Sequence, residues 1–204
     1  MKTVRRISGR AMPLPRRDID TDQIIPSRYL KRVERTGFAE GLFAEWRTDP
    51  AFVLNDPRYA GAEILITGAN FGCGSSREHA AWALEEHGFR AIVAERFADI
   101  FRGNALKSGL LPVELPAADI DALMAAVTAD PAVTLDIDVA ARTLRCGRLA
   151  FSFPLDDHAA MRLLEGLDDI ALTLRNVEHI AAYEARRPTH LPTIAVPAAD
   201  TVGA

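Results

Sequence analysis

The sequence predicts an α/β fold with a parallel core and a small antiparallel β addition. Three observations carry that prediction. Short apolar runs at Ile64–Thr67, Ala91–Ala94 and 110–115 have the length of buried strands. Between them, 77–87 and 97–107 are rich in helix formers, and Gly88 and Gly109 follow as stop signals. Alternating strands and helices imply a parallel sheet joined by right-handed crossovers. After Ala129 the pattern changes to short strand-like runs at 133–138, Thr143–Cys146 and 149–153, spaced as a meander.

The elements follow in chain order. Residues 4–14 alternate loosely and contain proline, which predicts an edge strand and a loop. Asp18, Asp20 and Asp22 precede the apolar pair Ile24-Ile25. Residues 28–35 read as a helical turn or a loop. Gly37, Gly41, Pro50 and Pro57 break 37–60 into short helices and turns. Pro112 marks the third core run as an edge strand or a bulge. Further helices are expected over 118–129, 156–164 and 168–186. The tail after Pro188 is rich in proline and alanine and reads as extended or disordered. The expected organisation is one domain over residues 1–187 and a tail over 188–204.

The composition excludes several classes. A hydrophobic fraction of 49% and a charged fraction of 25% are globular values and exclude a disordered chain, a collagen or a coiled coil. A formal charge of −4 argues against a nucleic-acid coat. No apolar run approaches the ~20 residues needed to cross a bilayer. The basic start, Met1 to Arg6, leads into no signal-peptide core, so a cytoplasmic protein is expected. Cys73 and Cys146 allow one disulfide at most, and no Cys/His cluster has metal spacing.

The informative segment is Gly68-Ala69-Asn70-Phe71-Gly72-Cys73-Gly74-Ser75-Ser76-Arg77-Glu78-His79, between a strand and a helix. Ser75 and Glu78 have the spacing of a capping box, so one reading is a capped helix after a tight turn. The other is an anion site at a helix start. Arg77 favours it: a cation is unfavourable at that end of a helix and calls for an anionic partner, and its planar fork suits a carboxylate. A P-loop is excluded because its lysine is absent. A dinucleotide fingerprint from Gly72 needs a small residue where Arg77 stands, although Glu95 lies near the place of a ribose-binding acid.

The segment from Asn70 to Ala80 resembles the signature of the swivelling domain of the aconitase family. Asp20-Thr21-Asp22-Gln23-Ile24-Ile25-Pro26 is similar to that domain's upstream motif. Phe97-Ala98-Asp99-Ile100-Phe101, Asn104 and Gly109-Leu110-Leu111-Pro112 are similar to its downstream motif. Length and spacing resemble the bacterial two-chain members that act on isopropylmalate. The resemblance implies a β/β/α swivelling domain that closes over a separate large subunit, as a heterodimer or larger assembly. The large subunit would carry a [4Fe–4S] cluster on its own cysteines, leaving this chain without a metal site. The implied activity is a hydro-lyase interconverting 2-isopropylmalate and 3-isopropylmalate through isopropylmaleate, in leucine biosynthesis. Homoaconitate and 2-methylmalate (citramalate-type) hydratases are alternatives within the family. An anion-binding regulatory module is the alternative outside enzymes.

The same resemblance assigns roles. Ser75 is implied as the base, acting as an alkoxide, with helix capping as its competing role. Ser76 and Arg77 would hold a substrate carboxylate. Asp22 would orient a histidine of the partner, or else cap a helix. Asp20 reads as structural. His79, four residues after Ser75, reads as a supporting helix histidine bonded to backbone. Cys73 reads as a small buried loop residue rather than a cluster ligand. The segment from Ser27 to Arg32 is the implied specificity loop, with Leu30 against the isopropyl group and Arg28, Lys31 and Arg32 nearby.

Overall fold

The computed structural model describes residues 1–31, 36–188, 190 and 191. They fall into two units, one of Met1–Asp168 and one beginning at Asp169. The expected tail over 188–204 lies almost wholly outside the described residues.

The first unit is built on β1 (Arg6–Leu14), α1 (Thr21–Ile24), β2 (Ile64–Thr67), α2 (Glu78–His87), β3 (Ala91–Ala94), α3 (Asp99–Ser108), β4 (Leu111–Glu114), α4 (Ala117–Ala129), β5 (Thr134–Asp138), β6 (Thr143–Cys146), β7 (Leu149–Ser152) and α5 (Asp157–Glu165). The strands form one seven-stranded sheet in the order β4-β3-β2-β1-β5-β6-β7. The β1–β4 half is parallel and the β5–β7 half is an antiparallel meander. This is the expected α/β arrangement. β2 and β3 are buried along their whole length, which explains their unbroken apolar runs.

β1 corrects the edge-strand expectation. It lies at the centre of the sheet, between β2 and β5. Its first half, Arg6 to Arg10, pairs with β5, and its second half, Ala11 to Leu14, pairs with β2. At Pro13 the strand therefore has a neighbour on one side only, so the missing N–H is tolerated. Pro112 does sit on an edge strand, β4.

Residues 38–59 form four single 3-10 turns rather than α-helix. Phe43, Trp46 and Phe52 stack into a small aromatic cluster there, capped by the Arg16 guanidinium 4.1 Å from the Trp46 ring. In the second unit, the helix expected over 168–186 is two helices, α6 (Asp169–Leu174) and α7 (Val177–Ala185). They break at Arg175-Asn176, where Asn176 leaves helical geometry (φ −106°, ψ 19°).

Candidate active site

Two loops meet at the C-terminal ends of β1 and β2. The segment after β1 runs from Pro15 into the start of α1, as far as Asp22, and the loop after β2 runs from Gly68 to Arg77. They are laced together along their length. Gly68 N–H donates to Arg16 O (2.9 Å) and Asp18 N–H to Ala69 O (2.9 Å). Gly72 and Cys73 N–H both donate to Ile19 O, and Thr21 N–H donates to Cys73 O (2.9 Å). Asn70 Nδ2 donates to Asp18 Oδ1 (2.8 Å), with both residues in the left-handed region (φ 59° and 53°) that Asn and Asp tolerate best. On its other side Phe71 exchanges backbone hydrogen bonds with Arg96 and Ala98.

Gly72 fixes how closely the loop packs. Its φ is +77°, and a Cβ there would lie 2.2 Å from Phe101 Cγ. Phe71 and Phe101 meet edge to face at 5.1 Å beneath it. The loop thus rests on α3 through a contact only glycine permits.

This lacing moves the helix start. The anticipated Ser75–Glu78 capping box does not form: α2 begins at Glu78 with Arg77, in extended geometry, as its N-cap residue. Thr21, almost fully buried, donates its hydroxyl to the Ser75 carbonyl (3.0 Å) and holds 73–77 off the helix. Ser75 and Ser76 are exposed, and among the described residues neither hydroxyl has a hydrogen-bond partner. Capping is therefore removed as an account of Ser75. Thr21 is a residue the sequence reading passed over. The available signal was a small polar residue between two acids, Asp20 and Asp22, in a short motif.

Arg77 is four-fifths buried and forms an ion pair through Nη1 with Asp22 Oδ1, fifty-five positions away. Asp22 is half exposed. Among the described residues that is its one hydrogen-bonded partner, which leaves the remaining guanidinium N–H donors for another anion. Asp22 does not cap α1. Asp20 does, in a reciprocal box: Gln23 N–H donates to Asp20 Oδ1 (2.8 Å), and Asp20 N–H donates to Gln23 Oε1 (3.0 Å).

Among the described residues the His79 ring has no backbone hydrogen-bond partner. Its ring packs between Phe38 (centroids 5.1 Å apart, 74°) and Trp82 (4.8 Å). Since Ser75 lies outside α2, their four-residue spacing does not make them helical neighbours. Leu30 lies on the 3-10 turn Ser27–Lys31, half-buried against the core. Arg28 of that turn pairs with Glu45 and leans over Tyr29. Arg32 lies outside the described residues.

Cys73 and Cys146 are both free. Burial, then the Asp20 and Asp18 carboxylates, push the Cys73 thiol above its ordinary range. Burial, then Asp130, does the same to Cys146. Two thiols, one on the loop after β2 and one on β6, both pushed by burial toward the protonated form, do not fit an iron–sulfur cluster, which takes several thiolates converging on one point. Among the described residues no three His, Cys, Asp or Glu side chains gather as metal ligands.

The family model described as the aconitase C-terminal domain matches residues 1–118. The model described as the C-terminal domain of 3-isopropylmalate dehydratase small subunit matches residues 169–194. The 3-isopropylmalate dehydratase small subunit of Parafrankia sp. is 61% identical over 92% of this chain and 96% of its own length. The chain belongs to the 3-isopropylmalate dehydratase small-subunit family. The small subunit of Rubrobacter xylanophilus is 52% identical over 95% of this chain and 100% of its own. A crystal structure titled 3-isopropylmalate dehydratase, from Methanocaldococcus jannaschii, superposes with a TM-score of 0.63 at 26% identity, covering 88% of this chain and 99% of that one. These relatives align with more than nine-tenths of this chain, so the alignment extends beyond the aconitase-type half into the antiparallel half.

Proposed function

We propose that this chain supplies the proton-abstracting and carboxylate-binding side of a two-chain hydro-lyase that interconverts 2-isopropylmalate and 3-isopropylmalate through isopropylmaleate. The observation that carries the proposal is one loop presenting two serine hydroxyls, unpartnered among the described residues, beside a largely buried arginine. The family supports the substrate class.

The reaction removes a proton from the carbon beside a carboxylate and a hydroxide from its neighbour, then reverses the two with their positions exchanged. Ser75, as an alkoxide, takes the proton and returns it. Ser76 and the free donors of Arg77 hold a substrate carboxylate. Asp22 keeps Arg77 at the mouth of the loop and also faces a histidine of the partner. Leu30 forms part of the wall for the isopropyl group. A helix N-terminus contributes at most ~2 kcal/mol to a neighbouring anion, and only within its first turn. Ser75 precedes that turn, so its ionisation depends chiefly on the positive charge of Arg77, whose field strengthens when the closing subunits exclude water.

The proposal places a [4Fe–4S] cluster on the large subunit's own cysteines, and the steps assigned to this chain do not run through it. The partner is that large subunit, in a heterodimer or a multiple of it, in the cytoplasm. Among the described residues no helix is long and apolar enough to cross a membrane.

The test is co-expression with a large subunit, anaerobic reconstitution, and a comparison of 2-isopropylmalate, homoaconitate and 2-methylmalate as substrates. Turnover fastest with isopropylmalate, and only in the assembled enzyme, is expected. Stoichiometric iron and sulfide on the isolated chain, or turnover by it alone, would overturn the two-chain reading.

A further inference from the structure

We infer that Glu86 is a positioning residue for substrate discrimination: from the far end of α2 it fixes the bed on which the turn bearing Leu30 rests. The inference rests on the proposed role of that turn.

The bed is the 3-10 turn Phe38–Gly41. A helical start leaves backbone N–H groups without partners, and a side chain at the N-cap usually accepts from them. This N-cap is Gly37, at φ +85°, which has no side chain to offer. Glu86 supplies the acceptor from another element. Its Oε2 accepts from Phe38 N–H (2.6 Å) and from Ala39 N–H (3.2 Å).

Glu86 shares one face of α2 with His79 and Trp82, at helical spacings of three and four. Those two rings hold the Phe38 ring, with centroids 5.1 and 5.6 Å away. One stripe of α2 therefore clamps the start of the bed by its backbone and by its side chain.

At the other end, Gly41 receives the Leu30 turn. A Cβ on Gly41 would lie 2.8 Å from Tyr29 Cγ and 3.0 Å from Ile25 Cγ1, so that turn sits directly on its backbone. Phe43 N–H donates to Ile24 O (2.7 Å), and Glu45 holds Arg28. A displacement of Phe38–Gly41 therefore moves Tyr29 and Leu30. The first residues before α2 are the serines and Arg77, so the same helix references both the reacting groups and the discriminating turn.

Glu86 lies outside the reacting groups, so its loss should separate binding from turnover. In the assembled enzyme, Glu86→Ala should raise KM for isopropylmalate roughly five- to tenfold, since two hydrogen bonds to a charged acceptor are lost. It should lower discrimination against a malate bearing an acidic side chain, with kcat within about twofold of wild type. Glu86→Gln keeps an acceptor oxygen and should recover most of both losses. In the isolated chain, hydrogen exchange at the Tyr29 amide, which donates to Pro26 O (3.0 Å), should accelerate in the alanine variant and recover in the glutamine variant. An unchanged selectivity ratio in Glu86→Ala overturns the inference. So does an equal loss in both variants, which would make the carboxylate charge rather than the cap responsible. The role of Leu30 fails separately, through an unchanged ratio in Leu30→Arg.

Discussion

Ser75→Ala should separate stability from chemistry almost completely. The substitution removes one hydroxyl that has no hydrogen-bond partner among the described residues, from an exposed residue. The Ser75 group that does bear a load is its backbone carbonyl, which accepts from the Thr21 hydroxyl at 3.0 Å, and alanine keeps it. The folded chain should therefore lose no more than about 0.5 kcal/mol. Loss of a true N-cap would cost about 1 kcal/mol. For a domain of this size the difference is a Tm shift of about 1–2 °C against about 2–4 °C. Loss of a general base lowers turnover by about 10²–10⁴-fold. Urea unfolding of the isolated chain gives the first quantity, and turnover of the reconstituted enzyme at saturating isopropylmalate gives the second. Thr21→Val is the control, because it breaks the tether while leaving both serines in place. Retention of near-wild-type turnover by Ser75→Ala would refute the assignment of the base. Destabilisation beyond 1 kcal/mol, on the scale of a lost cap, would show that the hydroxyl has a structural partner after all.

Other outcomes follow from the same geometry. Gly72→Ala places a Cβ 2.2 Å from Phe101 Cγ at a φ of +77°, so overpacking and left-handed strain together should cost about 2–5 kcal/mol, read as a lower urea midpoint. Arg77→Lys should keep an ion pair to Asp22 yet raise KM for isopropylmalate about tenfold or more, because a point charge cannot reproduce a fork; unchanged KM would remove Arg77 from the carboxylate site. The Cys73 thiol is raised in the folded chain by burial and by Asp20 and Asp18, so folding favours its protonated form. That contribution is complete below the ordinary cysteine range and is lost as pH rises through the folded-state value. Stability of the wild type should fall faster than that of Cys73→Ala between pH 8 and 10, and parallel curves would contradict it.

The core strands were legible because β2 and β3 are buried on both faces, so burial alone dictates four consecutive apolar residues. The antiparallel meander was legible from short strands between turn residues, such as Gly147 at φ +56° between β6 and β7. β1 was misread because Pro13 marks a one-sided pairing that holds for half the strand, and no local signal distinguishes half an edge from a whole one. Ser75 and Glu78 have correct capping chemistry. The box is overridden by hydrogen bonds from Thr21, more than fifty positions earlier, and tertiary contacts of that kind leave no local trace. The Asp22–Arg77 pair was hidden for the same reason: both residues were singled out, each for a partner on another molecule, while their partners in this chain are each other. Glu86 carries no local signal of its role, because the N–H groups it caps are forty-eight and forty-seven positions away.

The division of β1 between two neighbours has a consequence for synthesis. Arg6 to Arg10 find their strand partner in Thr134 to Asp138. At about 5–20 residues per second, a ribosome delivers that partner on the order of ten seconds after β1 has been made. Until then the nascent parallel half can assemble, since β2, β3 and β4 follow within the next hundred residues, yet it exposes an unpaired strand beside its centre. Two arginines, Arg6 and Arg10, bracket the open stretch, and like charges of this kind discourage another chain from adding to it. A chain cut after β4 would keep that opening permanently. The half that carries the loop after β2 is therefore a poor candidate for excision as a minimal enzyme, and its solubility depends on the meander that follows it.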